Sequence, residues 1–130
     1  LRALAGSLMI SNDGAHAVHP NYAELHEPKH KPVLNGGPVL KMNSNERYIT
    51  QSAGAPYFIN LCAQHNVPLQ RIVVRSDLPC GSTIGPIISS RLGVMGADIG
   101  LPMLSMHSIR ETGGVKDAEL MIKALAAHFG

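Results

Sequence analysis

The sequence predicts an α/β fold with a largely parallel sheet. Two observations carry this prediction: short apolar segments alternate with longer segments of helical periodicity, and turn-forming residues separate them. The 13 glycines and nine prolines follow no fixed period, which excludes a collagen-like chain. Hydrophobic residues make up 45% of the chain, which excludes a disordered protein.

Two strands and one helix are predicted in the first half of the chain. Residues 7–11 and 38–42 are short apolar runs bounded by turn-forming residues. Residues 13–37 between them have no regular pattern, and long loops of this kind are usually functional or covered by a partner. Residues 55–64 are predicted to form a helix, and Pro56 suits its first turn. The apolar stripe of this helix consists of Tyr57, Phe58, Leu61 and Cys62.

A third strand and a second helix follow. Residues 71–75 are rich in β-branched side chains and predict a strand. After a turn, a helix is expected to run to Leu92. Ser82 or Thr83 can cap its start, and Gly93 is expected to end it.

The last strand is predicted at residues 97–101, and Asp117 is expected to cap a last helix that runs to Phe129. Leu120, Met121, Ala124, Leu125 and His128 share one face of that helix. Ligands of open α/β sheets lie beyond the carboxyl ends of the strands. Asp13 follows the first predicted strand and His107 follows the last, so we expect both at one cleft.

The charge balance excludes several classes of protein. Eleven Lys and Arg residues against nine Asp and Glu residues give a net charge of +2, without the basic footprint of a nucleic-acid-binding protein. No apolar run reaches the roughly 18 residues that would span a membrane. Charged residues make up only 15% of the chain, which is little for covering a free surface. We therefore expect the chain to be part of something larger.

Two features bear on the cellular compartment. Cys62 and Cys80 do not make a disulfide framework, which indicates an intracellular, cytoplasmic protein. The first ten residues contain an arginine and apolar positions, but Gly6 and Ser7 interrupt that run and argue against a signal peptide. Because the chain begins with Leu, we expect it to be a portion of a longer polypeptide.

The densest chemistry lies in residues 13–19, DGAHAVH. A carboxylate and imidazoles suit a borderline cation such as Zn²⁺, and His26 and His30 extend the run. The same spacing also fits a turn aspartate followed by surface histidines. His107 could be a ligand, a catalytic base, or a buried histidine bonded to a carbonyl.

Three further residues allow both a chemical and a structural interpretation. Cys80 opens the segment CGSTIG, whose backbone N–H groups could bind an anion, although the P-loop lysine is absent. Cys80 could also be a nucleophile with His107 as its base, but we favour a tight structural turn. Lys41 could pair with an acidic substrate group or face water at a sheet edge. Tyr48 could offer a phenolic donor or serve in packing.

Four segments occur in the order SNDGAHAVHPNY, GPVLKMNSNERY, VRSDLPCGSTIGPI and LSMHSIRE. Together they resemble the C-terminal part of the aspartyl aminopeptidases, two-zinc metallopeptidases that remove N-terminal Asp or Glu. The resemblance runs from about Ser7 to the end of the chain. It implies part of an α/β/α sandwich of the zinc-peptidase type, two zinc ions (Zn²⁺) per complete active site, and a large homo-oligomer built from dimers.

The resemblance implies roles for five residues. Asp13 is expected to be a ligand of one metal and to lie against the substrate, and His107 is expected to be a ligand of the other metal. His16, three residues after Asp13, corresponds to a substrate-contacting histidine. Lys41 and Tyr48 correspond to the substrate-contacting lysine and tyrosine of two further motifs. Cys80 matches a structural turn near the site.

The resemblance is also incomplete. The family needs a histidine ligand from near its N-terminus, a bridging Asp, a general-base Glu, an adjacent ligand Glu and an inserted dimerisation domain, and none of these is matched. No catalytic residue is therefore assignable in this chain, and Glu111 receives no role despite lying close to His107. We predict that residues 1–130 are the C-terminal portion of a catalytic domain and are inactive alone.

Three functions remain open at this point. The first is a zinc aminopeptidase acting on peptides with an acidic N-terminal residue, without a nucleic-acid or membrane partner. The second is a non-catalytic metal-binding or assembly module of the same fold. The third, a thiol hydrolase using Cys80 and His107, is the least favoured.

Overall fold

The computed structural model describes residues 2–50 and 53–130, and within these residues five strands form one sheet. The strands are β1 (Leu8–His16), β2 (Val39–Met42), β3 (Gln70–Val73), β4 (Met95–Leu104) and β5 (Thr112–Gly113). The sheet order is β1-β4-β2-β3, and β5 pairs with the end of β4.

The sheet is mostly parallel, as the sequence predicts. β1 pairs parallel with β4 along all nine of its residues, and β2 pairs parallel with β3. The junction between the two pairs is antiparallel and short, because β2 contacts β4 only through Val39 opposite Gly100 and Leu40 opposite Ile99. β2 and β3 therefore run against the direction of β1 and β4.

The helices lie on both faces of this sheet. They are α1 (Arg2–Ala5), α2 (Gly54–Gln64), α3 (Ile84–Leu92) and α4 (Val115–Phe129), and a 3₁₀ helix spans Pro20–Leu25. Gly93 ends α3 in the left-handed region at φ 66°, as predicted. In the described part of the chain, no helix has both the length and the apolarity needed to cross a membrane.

The main core lies between one face of the sheet and helices α2 and α4. Its buried members come from β2, β4, the apolar stripe of α2, the segment between α2 and β3, and α4. These residues are Leu40, Phe58, Leu61, Cys62, Val67, Ala97, Ile99, Met121 and Ala124. The helical faces that the sequence predicts for α2 and α4 are thus the faces that pack here.

The opposite face of the sheet carries polar residues. Side chains alternate between the faces of a strand, so Lys41 and Asp98 point away from the core in which Leu40 and Ile99 pack. Helix α3 packs on that side, since a Cβ on Gly85 would meet an Asp98 carboxylate oxygen at 2.9 Å. The layers agree with the sandwich arrangement that the resemblance implies.

Two strands are longer than their predicted ranges. The first was predicted at residues 7–11 but continues to His16, and the last was predicted at 97–101 but spans Met95–Leu104. The polar residues after position 11 resemble a turn in sequence, yet their backbone groups complete the ladder with β4. Asp13 therefore lies inside β1, and the prediction that it follows the strand end is wrong.

Asp117 does not cap the last helix, contrary to the prediction. α4 begins at Val115 after Gly114, and Asp117 lies buried in its first turn. Its Oδ1 accepts a hydrogen bond from the Gly37 N–H at 2.8 Å, and its Oδ2 accepts one from the Asn35 N–H at 2.7 Å. The carboxylate holds the loop before β2, which is a tertiary contact that local helix signals do not contain.

Candidate active site

One cleft of about 200 Å³ is lined by all five residues that the resemblance singles out. They are Asp13, His16, Lys41, Tyr48 and His107. They come from β1, β2, the segment after β2, and the turn after β4, so the sheet gathers positions as far apart as 13 and 107. The expectation that Asp13 and His107 share one cleft is confirmed.

The backbone geometry of β1 and β4 shapes the floor of this cleft. Asp13 lies opposite Gly100 in the parallel ladder. A Cβ at position 100 would lie 2.8 Å from the Asp13 carbonyl oxygen and 2.7 Å from the Gly14 carbonyl carbon. Only glycine allows the two strands to approach this closely without a shift of the backbone.

Lys41 is buried, which rules out the interpretation that it faces water at a sheet edge. Its side chain is 4% exposed, and its ammonium donates to Oδ1 of the half-exposed Asp13. The ammonium also lies 5.5 Å from the centroid of the Tyr48 ring, within cation–π range. A buried cation of this kind needs such partners, because burial without them is very unfavourable.

Burial sets the protonation of the groups around the cleft. It lowers the pKa of Lys41 to about 8, although the nearby Asp98 and Cys80 act in the opposite direction. It also raises the pKa of Tyr48, and the adjacent Cys80 contributes to that shift. Desolvation, followed by the proximity of His107, lowers the pKa of His16. At neutral pH the cleft therefore presents a neutral phenol and a neutral imidazole.

His107 is exposed, so the alternative of a buried structural histidine is wrong. Its backbone lies in the left-handed region at φ 67°, as does that of Ser105 at φ 56°. The His107 N–H donates to Oε1 of Glu111 at 2.6 Å. Such backbone conformations in non-glycine residues are uncommon and cluster at functional sites, where surrounding contacts hold them in place.

Glu111 and Asp98 hold parts of the cleft, although sequence reasoning gave neither of them a role. Glu111 fixes the turn that carries His107. In the sequence, its position four residues after His107 is the signal that could have indicated this contact. Asp98 is fully buried and accepts a hydrogen bond from Thr83, which lines the cleft. A carboxylate inside an apolar strand was the signal for Asp98, because acidic residues are almost never fully buried without a partner.

Cys80 lines the cleft, but its contacts fit a structural turn. Its thiol donates to the Gly81 carbonyl oxygen at 3.1 Å. Within residues 2–50 and 53–130, no hydrogen bond joins it to His107, which a nucleophile and base pair would need. Of the two predicted caps of α3, Thr83 occupies the N-cap position, but its Oγ1 makes no capping hydrogen bond and donates to Asp98 at 2.8 Å.

Of the other histidines of the early run, two share a pocket with His16 and one does not. His19 accepts from the Asn21 N–H and begins the 3₁₀ helix, while His30 pairs with Glu27. His26 lines a neighbouring pocket of about 300 Å³, together with His16 and His19. Within the part of the chain that the structure describes, however, these histidines do not form a group of three that could hold a metal ion.

The donor types in the cleft fit zinc, but their number falls short of a complete site. Asp13 offers a carboxylate oxygen and His107 an imidazole nitrogen, both of which are common zinc ligands. Among the described residues, however, no group of three or more His, Cys, Asp or Glu side chains could hold a metal ion. A zinc site usually takes at least three protein ligands. These residues alone do not complete one.

Comparison with known proteins places the chain in a family. The family model described as aminopeptidase I zinc metalloprotease (M18) matches residues 1–129. The chain belongs to the M18 family. This is the family of zinc aminopeptidases that the four quoted segments resemble.

Curated M18 relatives are similar over nearly the whole chain. A protein named probable M18 family aminopeptidase 2 from Ectopseudomonas mendocina is 54% identical over 129 residues, which are 99% of this chain and 30% of that protein. A protein of the same name from Stutzerimonas stutzeri is 56% identical over 128 residues, or 98% of this chain and 30% of that protein. The chain thus spans about 30% of the length of these relatives.

Solved M18 structures share the fold. The chain matches one in a cryo-EM structure of the Ape4 and Nbr1 complex with a TM-score of 0.94 and 45% identity, covering 97% of this chain and 24% of that one. It matches the mApe1 dodecamer of S. cerevisiae with a TM-score of 0.86 and 32% identity, covering 97% of this chain and 27% of that one. The α/β fold class predicted from the sequence is confirmed.

Proposed function

We propose that the complete protein carrying this chain is a metal-dependent aminopeptidase that removes N-terminal Asp or Glu from peptides. Membership of the M18 family supports the reaction class. One observation carries the acidic specificity: the buried ammonium of Lys41 faces the same cleft as Asp13 and His107. A buried cation is a charge-assisted donor for a carboxylate, and a neutral side chain offers it no equivalent partner.

In this proposal Asp13 and His107 are ligands of two different zinc ions. When bound, zinc would polarise the scissile carbonyl and lower the pKa of the attacking water. Lys41 donates to Oδ1 of Asp13, so the carboxylate that would hold one metal is also oriented by the ammonium. The turn held by Glu111 carries His107, which lines the cleft.

Three side chains bind the substrate in this proposal. Lys41 has three N–H donors, of which one is directed at Asp13, so the others are available to the acidic side chain of the substrate. The neutral imidazole of His16 and the neutral phenol of Tyr48 form hydrogen bonds without adding charge. The negative charge of the substrate side chain is therefore balanced by Lys41.

The remaining parts of the site belong to the proposal as well. No residue of this chain matches the family's general-base Glu or its other metal ligands, so we assign them to the length of the relatives that this chain does not span. On the same resemblance, residues 1–130 are the C-terminal portion of the catalytic domain. The dodecamer of mApe1 supports a homo-oligomer, for which we propose dimers as the unit. The two free cysteines support the cytoplasm as the compartment.

The test compares peptides that begin with Asp and with Asn, using the purified complete protein. Asn has nearly the shape of Asp but no charge, so the pair isolates the ammonium of Lys41. We expect the Asp peptide to be cleaved with the higher kcat/KM, a chelator to abolish cleavage, and added Zn²⁺ to restore it. Equal rates on the two peptides would refute the acidic specificity, and activity that survives chelation would refute the metal.

The isolated 130-residue chain provides a second test. With two proposed ligands and no assigned base, it should bind zinc weakly and leave the Asp peptide intact. Its exposed apolar side chains, such as Ile84, Ile109 and Phe129, should favour self-association. A monomeric 130-residue chain that cleaved the peptide at an enzyme-like rate would show that the base lies within it.

A second candidate function is a non-catalytic metal-binding or assembly module of the same fold. It is favoured by the finding that the described residues contain no cluster of three metal-binding side chains. One measurement on the complete protein distinguishes the two functions. A complete protein that binds zinc stoichiometrically but cleaves no peptide, whatever its first residue, would support the module.

A further inference from the structure

Asp98 in β4 is fully buried, and only one of its two carboxylate oxygens accepts hydrogen bonds within the described residues. Its Oδ2 accepts hydrogen bonds from the Ile49 N–H at 2.6 Å and from the Thr83 hydroxyl at 2.8 Å. Its Oδ1 has no hydrogen-bond partner in the part of the chain that the structure describes. A buried carboxylate with an unbonded oxygen is unfavourable unless an opposite charge lies near it.

The nearby opposite charge is Lys41. The antiparallel pair Leu40–Ile99 makes Lys41 and Asp98 the next neighbours across β2 and β4, and both side chains point to the same face. Lys41 is the one buried cation among the described residues. The ammonium itself contacts Asp13, so Asp98 attracts it from a longer distance.

Asp98 also holds the segment that carries Tyr48. Its carboxylate binds the Ile49 N–H, and its own N–H donates to the Thr50 hydroxyl at 2.8 Å. The two residues directly after Tyr48 are therefore both hydrogen-bonded to Asp98 of β4, Ile49 through its backbone N–H and Thr50 through its hydroxyl. The Tyr48 ring lies against the Lys41 ammonium, so one buried side chain orients both partners of this pair.

We propose that Asp98 is a positioning residue that holds the Lys41 ammonium in place, beside Tyr48, for the acidic side chain of the substrate. This inference rests on the proposed function of the cleft. The physical basis is that two carboxylates lie near the Lys41 ammonium. Asp13 is exposed and is assigned to a metal, whereas Asp98 is buried, so its negative charge stays available to balance the ammonium. Without the charge of Asp98, the ammonium is held by Asp13 and is no longer drawn toward β4, so it is less well placed for the acidic side chain of the substrate.

The first experiment separates the charge of Asp98 from its hydrogen bonds, in the complete protein. Asp98→Asn keeps an oxygen that can accept from Ile49 and Thr83 but removes the charge. Thr83→Val removes one of those hydrogen bonds but keeps the charge, which makes it the matched control. We expect Asp98→Asn to lower kcat/KM for the Asp peptide by roughly tenfold or more, mainly through KM, and to change the Asn peptide about twofold at most.

The ratio of kcat/KM for the Asp peptide to kcat/KM for the Asn peptide should be nearly unchanged in Thr83→Val. A preference that Asp98→Asn leaves intact would overturn the inference. So would an equal loss of preference in both variants, because the carboxylate would then act only as a structural clamp.

The second experiment measures the coupling of Asp98 to Lys41 without using activity. Denaturant unfolding is compared for the wild type, Asp98→Asn, Lys41→Met and the double variant. We expect Asp98→Asn to raise the unfolding equilibrium constant roughly tenfold more when Lys41 is present than when Met replaces it. Additive effects would overturn the inference whatever the activity assays give.

The two experiments also distinguish a failure of this inference from a failure of the proposed function. A wild-type protein that does not prefer the Asp peptide refutes the acidic specificity and the substrate assigned to Lys41. In that case, coupling between Asp98 and Lys41 in the unfolding experiment still supports Asp98 as the residue that positions Lys41. If the coupling is also absent, that role is overturned too.

Discussion

Lys41 donates a hydrogen bond from its buried ammonium to the Asp13 carboxylate, across the width of strand β4. Asp13 lies in β1 and Lys41 in β2, and the strand between them presents Gly100 opposite Asp13. Because glycine has no side chain, nothing on β4 at that position separates the two charged groups. The cleft is thus built on a charge pair that joins two non-neighbouring strands.

Replacing Lys41 should reduce activity selectively on acidic substrates. A charge-assisted hydrogen bond contributes about 1.5–3 kcal/mol, so Lys41→Met should lower kcat/KM of the complete protein for an N-terminal Asp peptide roughly 10- to 150-fold. A peptide with a neutral first residue should be affected much less. Lys116→Met, at an exposed position in α4, serves as the control. Equal losses on both peptides would mean that Lys41 supports the fold or the peptide backbone instead.

Replacing the proposed ligands should lower the metal content. Asp13→Asn and His107→Ala should each reduce the zinc bound per subunit of the complete protein, because each removes a zinc-ligating atom. Elemental analysis after dialysis measures this directly. His65→Ala is the matched control, since His65 is exposed at the end of α2 and is not among the residues that line the cleft. Full zinc content in Asp13→Asn and His107→Ala would remove these two residues from the site.

Adding a single methyl group at position 100 should separate β1 from β4. A Cβ there would meet backbone atoms of Asp13 and Gly14 within 2.8 Å, and backbone cannot move aside as a side chain can. Gly100→Ala should therefore destabilise the protein by roughly 1–3 kcal/mol in urea unfolding. In Gly113→Ala the nearest atom would be 3.9 Å away, an ordinary contact, and little change is expected. Similar losses in both variants would contradict the close approach.

The thiol of Cys62 should make stability fall at high pH. Burial raises its pKa from about 9 to about 11, so the unfolded chain releases this proton first as the pH increases. The unfolded state then binds fewer protons than the folded state, and the contribution of Cys62 is lost between about pH 9 and pH 11. Unfolding midpoints measured across this range test the slope, with Cys62→Ala as the comparison. An equal slope in that variant would assign the effect to other groups.

Cys62 and Cys80 should also react differently with an alkylating reagent. Cys62 is buried and protonated, whereas Cys80 lies half-buried at the cleft. At pH 8 we expect iodoacetamide to modify Cys80 first and Cys62 only after unfolding, as followed by peptide mass spectrometry. Activity should fall far less on modification of Cys80 than on chelation. Complete loss on alkylation, with activity retained in chelator, would support the thiol hydrolase.

The amino-acid sequence determined the elements that depend on local periodicity and local backbone conformation. The stripe of Phe58 and Leu61 predicts helix α2, and Gly93 ends α3 because glycine adopts the left-handed region at little cost. The helical stripe and the glycine stop are read over a few residues, so no knowledge of distant partners is needed. The resemblance of the four motifs to a known family also implies which side chains share a cleft.

Only the tertiary structure decided which groups bond across the fold. The length of β1, the use of Asp117 on the loop before β2, and the burial of Lys41 depend on partners far away in sequence. The buried carboxylate of Asp98 binds Ile49, 49 positions away, and lies beside Lys41 through an antiparallel junction of two residue pairs. A polar residue bonds to whichever group the packed chain brings near it, because a buried polar atom without a partner is unfavourable. That choice is made by the register of the sheet, and local periodicity does not encode it.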